Sequence, residues 1–571
     1  MIKFFKQVFN KIKEFDDYTR QYSKITNNIE LPSLAYTNWG MHYAHLKDFE
    51  HAIEKLETAA VMSGQNPKPC INLGIIYTKL KNYQKAESIL LEALRKDSHN
   101  PYTYNVLGSV YIAEDKFDKA EDMLKKALKF STSNSEIFLN YGILYAKMQK
   151  KHKSIEMLKK SKLLNPANVH TYFILGVMLF ETDRISEAFT EFKKLESMNS
   201  NYKNLNYYIA LCYKKEKNYM AVIEYAQRAL NDDEDNVSAY ILLAQTYTAL
   251  NKQEEMLRIY AKGAEHGINN FEFLLSWGVS LLKINKIKEA KAKLFKVIEL
   301  KNNNSTALYK LGCCFYKEGN KDEAENYFNK ALASNSLNSS ALANLGIIYY
   351  ERKDYQNAIQ TFFKAIDISS EKAYLYFYIA NCYYKLGRLK KSIDYYEKTT
   401  EYYPLHIEAL INCTVCLLEM NNEKEALRKI RKAFQINRES EKVILIYSLT
   451  DLKAGIFSDA IEKADIILNK NPDKKEAKLL KVNALININK PQEALDILFS
   501  LADEDKNSDL CICLFYEAYK ILVEETPSNY NENMLNFYLN KINKINETNP
   551  DILNQSGISK YISKILNINK G

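Results

Sequence analysis

Small residues recur every 34 positions along most of this chain, and that period restricts the fold more than any other feature. Gly40, Gly74, Gly108, Gly142 and Gly176 stand 34 residues apart. The series continues through Ala210, Ala244, Gly278, Gly312, Gly346, Ala380, Thr414 and Ser448, and only Val482 in the last unit is not small. A second series trails the first by twelve residues and runs from Ala52, Ala86 and Ala120 to Ala426, Ala460 and Ala494. A third lies seven further on and includes Ala59, Ala93, Ala127, Ala331 and Ala365. Fourteen units fill Ser33 to Ser508 with no insertion.

Such spacing is what close helix–helix contact requires. Small side chains let two helices of a hairpin approach, and the large residues beside them fill the remaining space. In many units an aromatic residue stands four before the small one, as with Tyr36, Tyr104, Phe138 and Tyr172. Another follows three after it, as with Tyr43, Tyr77, Tyr111 and Tyr145. A polar turn such as Leu80-Lys81-Asn82-Tyr83 then leads into a second amphipathic stretch such as Gln84 to Arg95. Neither helix alone buries its apolar face, so neighbouring units must stack into one continuous core.

This pattern of a large residue, Leu-Gly, Tyr, Ala, a large residue and Ala at fixed offsets resembles the tetratricopeptide repeat family. The resemblance covers residues 33–508. It implies an all-α fold, a right-handed superhelical solenoid of stacked antiparallel hairpins, with the first helix of each unit lining the concave face. The family's usual proline near the unit end stands only at Pro166, Pro404 and Pro472. The seventh unit, around Met256 and Gly263, and the last two units depart most from the pattern.

Composition agrees with helix throughout: 571 residues hold only 16 Gly and 10 Pro, with 46% hydrophobic residues. Nine cysteines lie scattered through helical patterns, which argues against a disulfide framework and for reduced thiols in a cytoplasmic protein. The net charge of +9 is spread thinly, with no dense basic block, so nucleic acid is not an expected partner. The longest apolar stretch, Tyr172 to Phe180, is far shorter than the ~20 residues a membrane-spanning helix needs.

The ends depart from the repeat. In residues 1–32, Ile2, Phe5, Val8, Phe9, Ile12 and Phe15 mark one face of an amphipathic helix and Lys3, Lys6 and Lys13 mark the other. We expect it to cap the first repeat; contact of residues 1–16 with a membrane surface is the less favoured reading, because Glu14, Asp16 and Asp17 weaken attraction to anionic lipid. Residues 509–571 read as a degenerate hairpin, Leu510–Glu524 and Glu532–Ile545, with a closing helix near Ile558–Leu566.

No catalytic constellation emerges, and no cofactor or metal is expected. Cys413 and Cys416 form a CxxC without a second ligand pair, and Cys212, Cys314, Cys382 and Cys416 share one slot two residues after the small residue, where a small buried side chain fits. His42 and His45 lack a metalloprotease spacing, and no phosphate-binding glycine loop or nucleophile elbow occurs. The chain therefore reads as a non-enzymatic scaffold that binds other proteins or peptide segments. The alternative is an accessory or targeting subunit whose catalytic part is a separate chain.

The resemblance places the slots around the small residue on the concave surface. Just after it stand Ile75, Ile143, Val177, Leu211, Val279, Ile347, Val415 and Leu449, too apolar for the carboxylate clamp of the chaperone-binding members. Asn38, Asn72, Asn140, Asn344 and Asn412, two before it, echo the asparagines lining the repeat array of the O-linked N-acetylglucosamine transferase. Tyr316, Tyr350 and Tyr384 recur in three successive units at a slot expected to face the groove, with Tyr309, Phe377 and Asn381 nearby and Lys317 and Lys385 on the rim. These eight residues are the expected partner-binding site, since aromatic side chains combine contact area with low entropy cost. The lysine series to which Lys317 and Lys385 belong reads as solvated charge.

Overall fold

The structure, a computed structural model, describes residues 30–546 apart from Ala502 and Asn507. The expected N-terminal helix and the closing helix near Ile558–Leu566 lie outside the described residues. Regular structure among the described residues is α-helical. The chain divides into two compact units, one ending at Asn269 and the other beginning at Asn270. The boundary falls at the end of the seventh repeat counted from Ser33.

Each repeat is a pair of helices in tight contact, followed by packing of the second helix on the next pair. In repeat nine the helices are Ser305–Lys317 and Lys321–Ser334; in repeat ten Ser339–Glu351 and Tyr355–Ile366; in repeat eleven Lys372–Lys385 and Leu389–Tyr402. The turn inside the pair has one construction throughout. A single residue takes the left-handed conformation fifteen positions into each repeat, from Lys47 (φ 61°) and Asp115 (φ 59°) through Gly319 (φ 81°) and Lys353 (φ 64°) to Asn489 (φ 62°). The following amide then reaches back to the first helix, as Asp354 N–H does to Tyr349 O at 2.9 Å. This closes the orphan carbonyls of the helix end.

The other end of the first helix carries a side-chain cap in most repeats, though not where Pro67, Asn204, Glu371 and Lys474 precede it. Asn100, Asn236, Asn270, Asn304 and Asn338 stand immediately before a first helix and accept a backbone N–H three residues on, at 2.9–3.1 Å. Such caps contribute ~1 kcal/mol each.

Within a hairpin the small residue of the first helix meets a large residue of the second. A Cβ added to Gly346 would lie 2.6 Å from Phe362 Cε1, and one added to Gly176 would lie 2.5 Å from Phe192 Cε1. Phe362 and Phe192 are fully buried, each worth ~1.5–3 kcal/mol of transfer energy. Where the second small position is serine, its hydroxyl binds the facing helix: Ser154 Oγ donates to Gly142 O at 2.7 Å and Ser392 Oγ to Ala380 O at 2.9 Å. The shared cysteine slot is core, since Cys212, Cys314, Cys382 and Cys416 are inaccessible and burial pushes each thiol up to about 12.

Polar contacts fix one repeat to the next. Tyr111 Oη donates to Glu87 Oε1 at 2.6 Å and Tyr349 Oη to Glu325 Oε1 at 3.2 Å, each glutamate sitting on the second helix of the preceding repeat. The lysine series differs from the solvated reading. Lys147 Nζ donates to Ile112 O at 2.8 Å and Asp115 Oδ1 at 2.7 Å, and Lys215 Nζ to Asp183 Oδ1 at 3.0 Å. A cation is thus set against the C-terminal end of the preceding first helix, where the helix dipole favours it.

The last described helices of the second unit, Asp509–Glu525 and Asn529–Asn546, are longer and are joined by rings stacked at 4.8 Å between Phe515 and Tyr538. Repeat thirteen holds a buried ion pair unforeseen from the sequence: Asp451, 1% exposed, lies 2.8 Å from Lys463, whose ammonium also sits 4.3 Å from the Tyr447 ring.

Candidate partner-binding face

The slots named from the sequence fall on first helices, but their burial is not uniform. Just after the small residue, Val415 and Leu449 are core, whereas Ile75, Ile143, Val177, Leu211, Val279 and Ile347 are half-buried. Three of the asparagines two before it are engaged between repeats. Asn140 Nδ2 donates to Asn105 Oδ1 at 2.9 Å, Asn344 Nδ2 to Tyr309 Oη at 3.2 Å, and Asn412 Nδ2 to Asn381 Oδ1 at 3.4 Å.

In repeats nine to eleven the structure brings most of the expected residues together, by a route the sequence did not suggest. Tyr316 and Tyr350 make no ring contact with each other. Tyr316 Oη donates to Glu351 Oε1 at 2.5 Å, and Tyr384 Oη to Glu419 Oε1 at 2.6 Å, so each ties its repeat to the next. Tyr350 lies edge-on to Tyr355 at 5.6 Å and to Tyr378 at 5.8 Å. Tyr309 packs on Phe328 at 5.8 Å, and burial raises its phenol above the usual range.

The centre of the cluster is Tyr378, absent from the expected set. Its ring meets Tyr350 at 5.8 Å, Phe362 at 5.5 Å, Tyr374 at 4.9 Å and Phe377 at 6.0 Å. Phe377 also packs on His406 at 4.7 Å and Tyr396 at 6.0 Å. Tyr374 remains 43% exposed at the mouth of the cluster, and its phenol is raised by burial and by the neighbouring Tyr378 hydroxyl. Lys310 Nζ stands 4.9 Å from the Tyr309 ring. Asn344 Nδ2 also reaches the half-buried Cys313 thiol at 3.7 Å.

Asn381 departs from the expected recognition role. It is 8% exposed, and its carbonyl oxygen accepts from Tyr396 Oη at 2.6 Å as well as from Asn412. It braces the floor of the cluster. Lys317 and Lys385 are exposed, and Lys317 Nζ lies 3.4 Å from Asn285 Oδ1.

His406, also missed from the sequence, caps the first helix of repeat twelve by accepting Ala409 N–H on Nδ1 at 3.2 Å. Burial holds its pKa below the usual imidazole value. It stands where other repeats carry the capping asparagine.

Comparison with known proteins bears on the whole arrangement. Models described as tetratricopeptide repeat match residues 61–133, 135–168, 309–373 and 373–406. No curated protein matches the chain. Among solved structures, the crystal structure of the APC/C hetero-tetramer Cut9–Hcn1 matches at 13% identity over 79% of this chain and 96% of that one, with a TM-score of 0.36. PilF of Pseudomonas aeruginosa matches at 18% identity over 36% of this chain and 95% of that one, with a TM-score of 0.34. With its repeated small-to-large helix contacts and the family models matched in both units, the chain belongs to the tetratricopeptide repeat family.

Proposed function

We propose that this protein is a non-enzymatic interaction scaffold, and that a partner segment binds the first-helix face of repeats nine to eleven. The observation that carries this reading is the cluster around Tyr378, which holds half-buried aromatic rings in a fixed arrangement with Tyr374 at its mouth. Rigid aromatic surface already ordered by its neighbours lowers the entropy cost of capture. Lys310 and Lys317 beside it supply charge that sets on-rate and orientation. The nine cysteines are all free thiols, which supports a reducing, cytoplasmic setting. Among the described residues no helix is long and apolar enough to cross a membrane.

Affinity purification with mass spectrometry tests this reading. Tyr350→Ala combined with Tyr374→Ala should lose the main protein partner while helical content and melting stay close to the parent. Asn329→Ala, on an exposed position of a second helix, should retain it. Glu325 is unsuitable as a control, because it binds Tyr349 and Arg352 across the repeat junction. A folded double variant that retrieves the same partners at parental yield overturns the proposal. Nuclease treatment that abolishes capture would replace it with a nucleic-acid bridge.

A further inference from the structure

Counted repeat by repeat, the positive charge is not spread thinly. Repeats two to four, residues 67–168, hold eighteen Lys and Arg against ten Asp and Glu, a net of +8 where the whole chain has +9. The structure puts that excess on the second-helix side. The first helices Lys68–Lys79, Pro101–Ala113 and Ser135–Lys147 carry only Lys68, Lys79, Glu136 and Lys147, all in their end turns. The second helices Tyr83–Lys96, Phe117–Phe130 and Lys151–Leu164 carry twelve of the eighteen cations. Lys85, Lys119 and Lys153 recur there one repeat apart and exposed, each ammonium 5.5–5.8 Å from the ring of a first-helix tyrosine, Tyr77, Tyr111 or Tyr145. Those tyrosines are fixed in turn by Glu57, Glu87 and Glu121. The lysine stems are thus seated while their charges stay in water.

Acidic neighbours on the same helices do not neutralise this row. Glu121, Asp122 and Glu156 pair with Lys125, Lys126 and Lys160 at 2.8–3.2 Å, whereas Lys85, Lys119, Lys129 and Lys153 form no ion pair among the described residues. Apolar side chains stand exposed among the cations. One slot, followed at 34-residue steps, runs Val61, Arg95, Lys129, Leu163, with Val61 88% and Leu163 82% exposed. Two features then decide what such a face suits. Seventeen of the eighteen cations are lysine, a hydrated point charge, and only Arg95 offers the planar fork that reads phosphate or carboxylate bidentately. That balance fits attraction to a charged surface better than recognition of one group on a nucleic acid or protein. The exposed aliphatic side chains gain nothing from a phosphate backbone, but they enter the boundary between headgroups and acyl chains of a bilayer.

We propose that the second-helix face of repeats two to four docks on an anionic lipid bilayer, with Lys85, Lys119 and Lys153 against the headgroups and Leu163 at the acyl boundary. This face uses other helices and other repeats than the one proposed for the protein partner, and neither reading depends on the other. It also does not call on residues 1–16.

The test sediments the full chain with vesicles of phosphatidylserine and phosphatidylcholine in equal parts, with pure phosphatidylcholine vesicles alongside. The expected result is capture by the anionic vesicles alone, weakening steeply as salt is raised. Lys85→Gln, Lys119→Gln and Lys153→Gln together should lower the partition coefficient roughly a hundredfold, at about fivefold for each lysine near the surface. Leu163→Ser should lower it several-fold. All four side chains are exposed, so helical content and melting should stay parental. Lys252→Gln, Lys262→Gln and Lys288→Gln together remove the same charge from exposed positions in repeats seven and eight and should leave capture nearly unchanged. Equal capture by pure phosphatidylcholine, or capture by neither vesicle, overturns the proposal. So does an equal loss in the control protein, which would reduce the effect to net charge. Loss on deleting residues 1–29, with the Lys85, Lys119 and Lys153 variant binding normally, would overturn it in favour of the N-terminal segment. Tighter retention of duplex RNA or of polyglutamate than of the anionic vesicles at the same salt overturns the lipid class.

Discussion

Replacing Gly346 by alanine tests the packing rule on which the repeat depends. The new Cβ would stand 2.6, 2.8 and 2.9 Å from three atoms of the Phe362 ring, against ~3.5–4.0 Å for a comfortable carbon contact. The ring must therefore retreat by about 1 Å, and it is fully buried and packed against Tyr378. Overpacking of this kind costs ~1–3 kcal/mol, and three close atoms argue for the upper end. Alanine returns ~1 kcal/mol by its better helix propensity. The net expectation is a loss of about 2 kcal/mol, or roughly thirtyfold lower amide protection in Ser339–Ile366 by native-state hydrogen exchange. Local exchange is the proper readout, because long repeat arrays need not unfold in one step. In a Phe362→Ala background the clash is gone, and Gly346→Ala should then stabilise by ~1 kcal/mol. Repeat six already carries that combination, Ala210 with Ala226 at the same two positions. Unchanged protection in the single variant, or no reversal of sign in the double, would refute the reasoning.

Other expectations follow from the polar groups. Lys463→Met should cost ~3–5 kcal/mol by leaving the Asp451 carboxyl, which burial already pushes toward its neutral form, without its partner in the core, while Lys463→Met with Asp451→Leu should recover most of it in a urea melt. Because the folded pKa of His406 lies below 6.5, its contribution is present above that pH and is lost as pH falls through the folded value; protonation also removes the Nδ1 acceptor for Ala409 N–H. His406→Asn should keep the cap and flatten this part of the stability profile between pH 7 and 5, measured by thermal melts. Lys353→Gly should be neutral to stabilising by ~1 kcal/mol, since lysine holds φ 64° there and glycine does so without strain.

The hairpin fold was legible because its central requirement is volume, and volume is written directly in residue type. The glycines of the 34-residue series, each opposite a leucine or phenylalanine, can be read without coordinates. The capping asparagines at Asn100, Asn236, Asn270, Asn304 and Asn338 carried the same period and were overlooked, being scattered among turn residues. The left-handed positions were hidden for another reason: Lys, Asp, Gln, Asn and Gly all occupy them, so geometry repeats there while sequence does not. Lys147 and Lys215 looked solvated because their partners sit about 32 residues earlier, a relation visible only once repeats are stacked. The candidate face was half legible. Following one slot along the chain found Tyr316, Tyr350 and Tyr384, but contacts run between neighbouring helices, where Tyr378 joins Tyr350 to Phe377. Asn381 was misplaced because its slot turns inward where Tyr396 replaces a smaller residue and bonds to it.

Site-specific photocross-linking tests the central claim, that the aromatic first-helix face of repeats nine to eleven holds a protein partner. Tyr374 is replaced by a photoreactive aromatic amino acid in the full chain, with Asn329 replaced in parallel, and both proteins are irradiated in lysate. The account predicts a discrete cross-linked partner from position 374 that is lost when Tyr350→Ala is added, and no such product from position 329. Equal products from both positions, or a product at 374 that survives Tyr350→Ala, would contradict it.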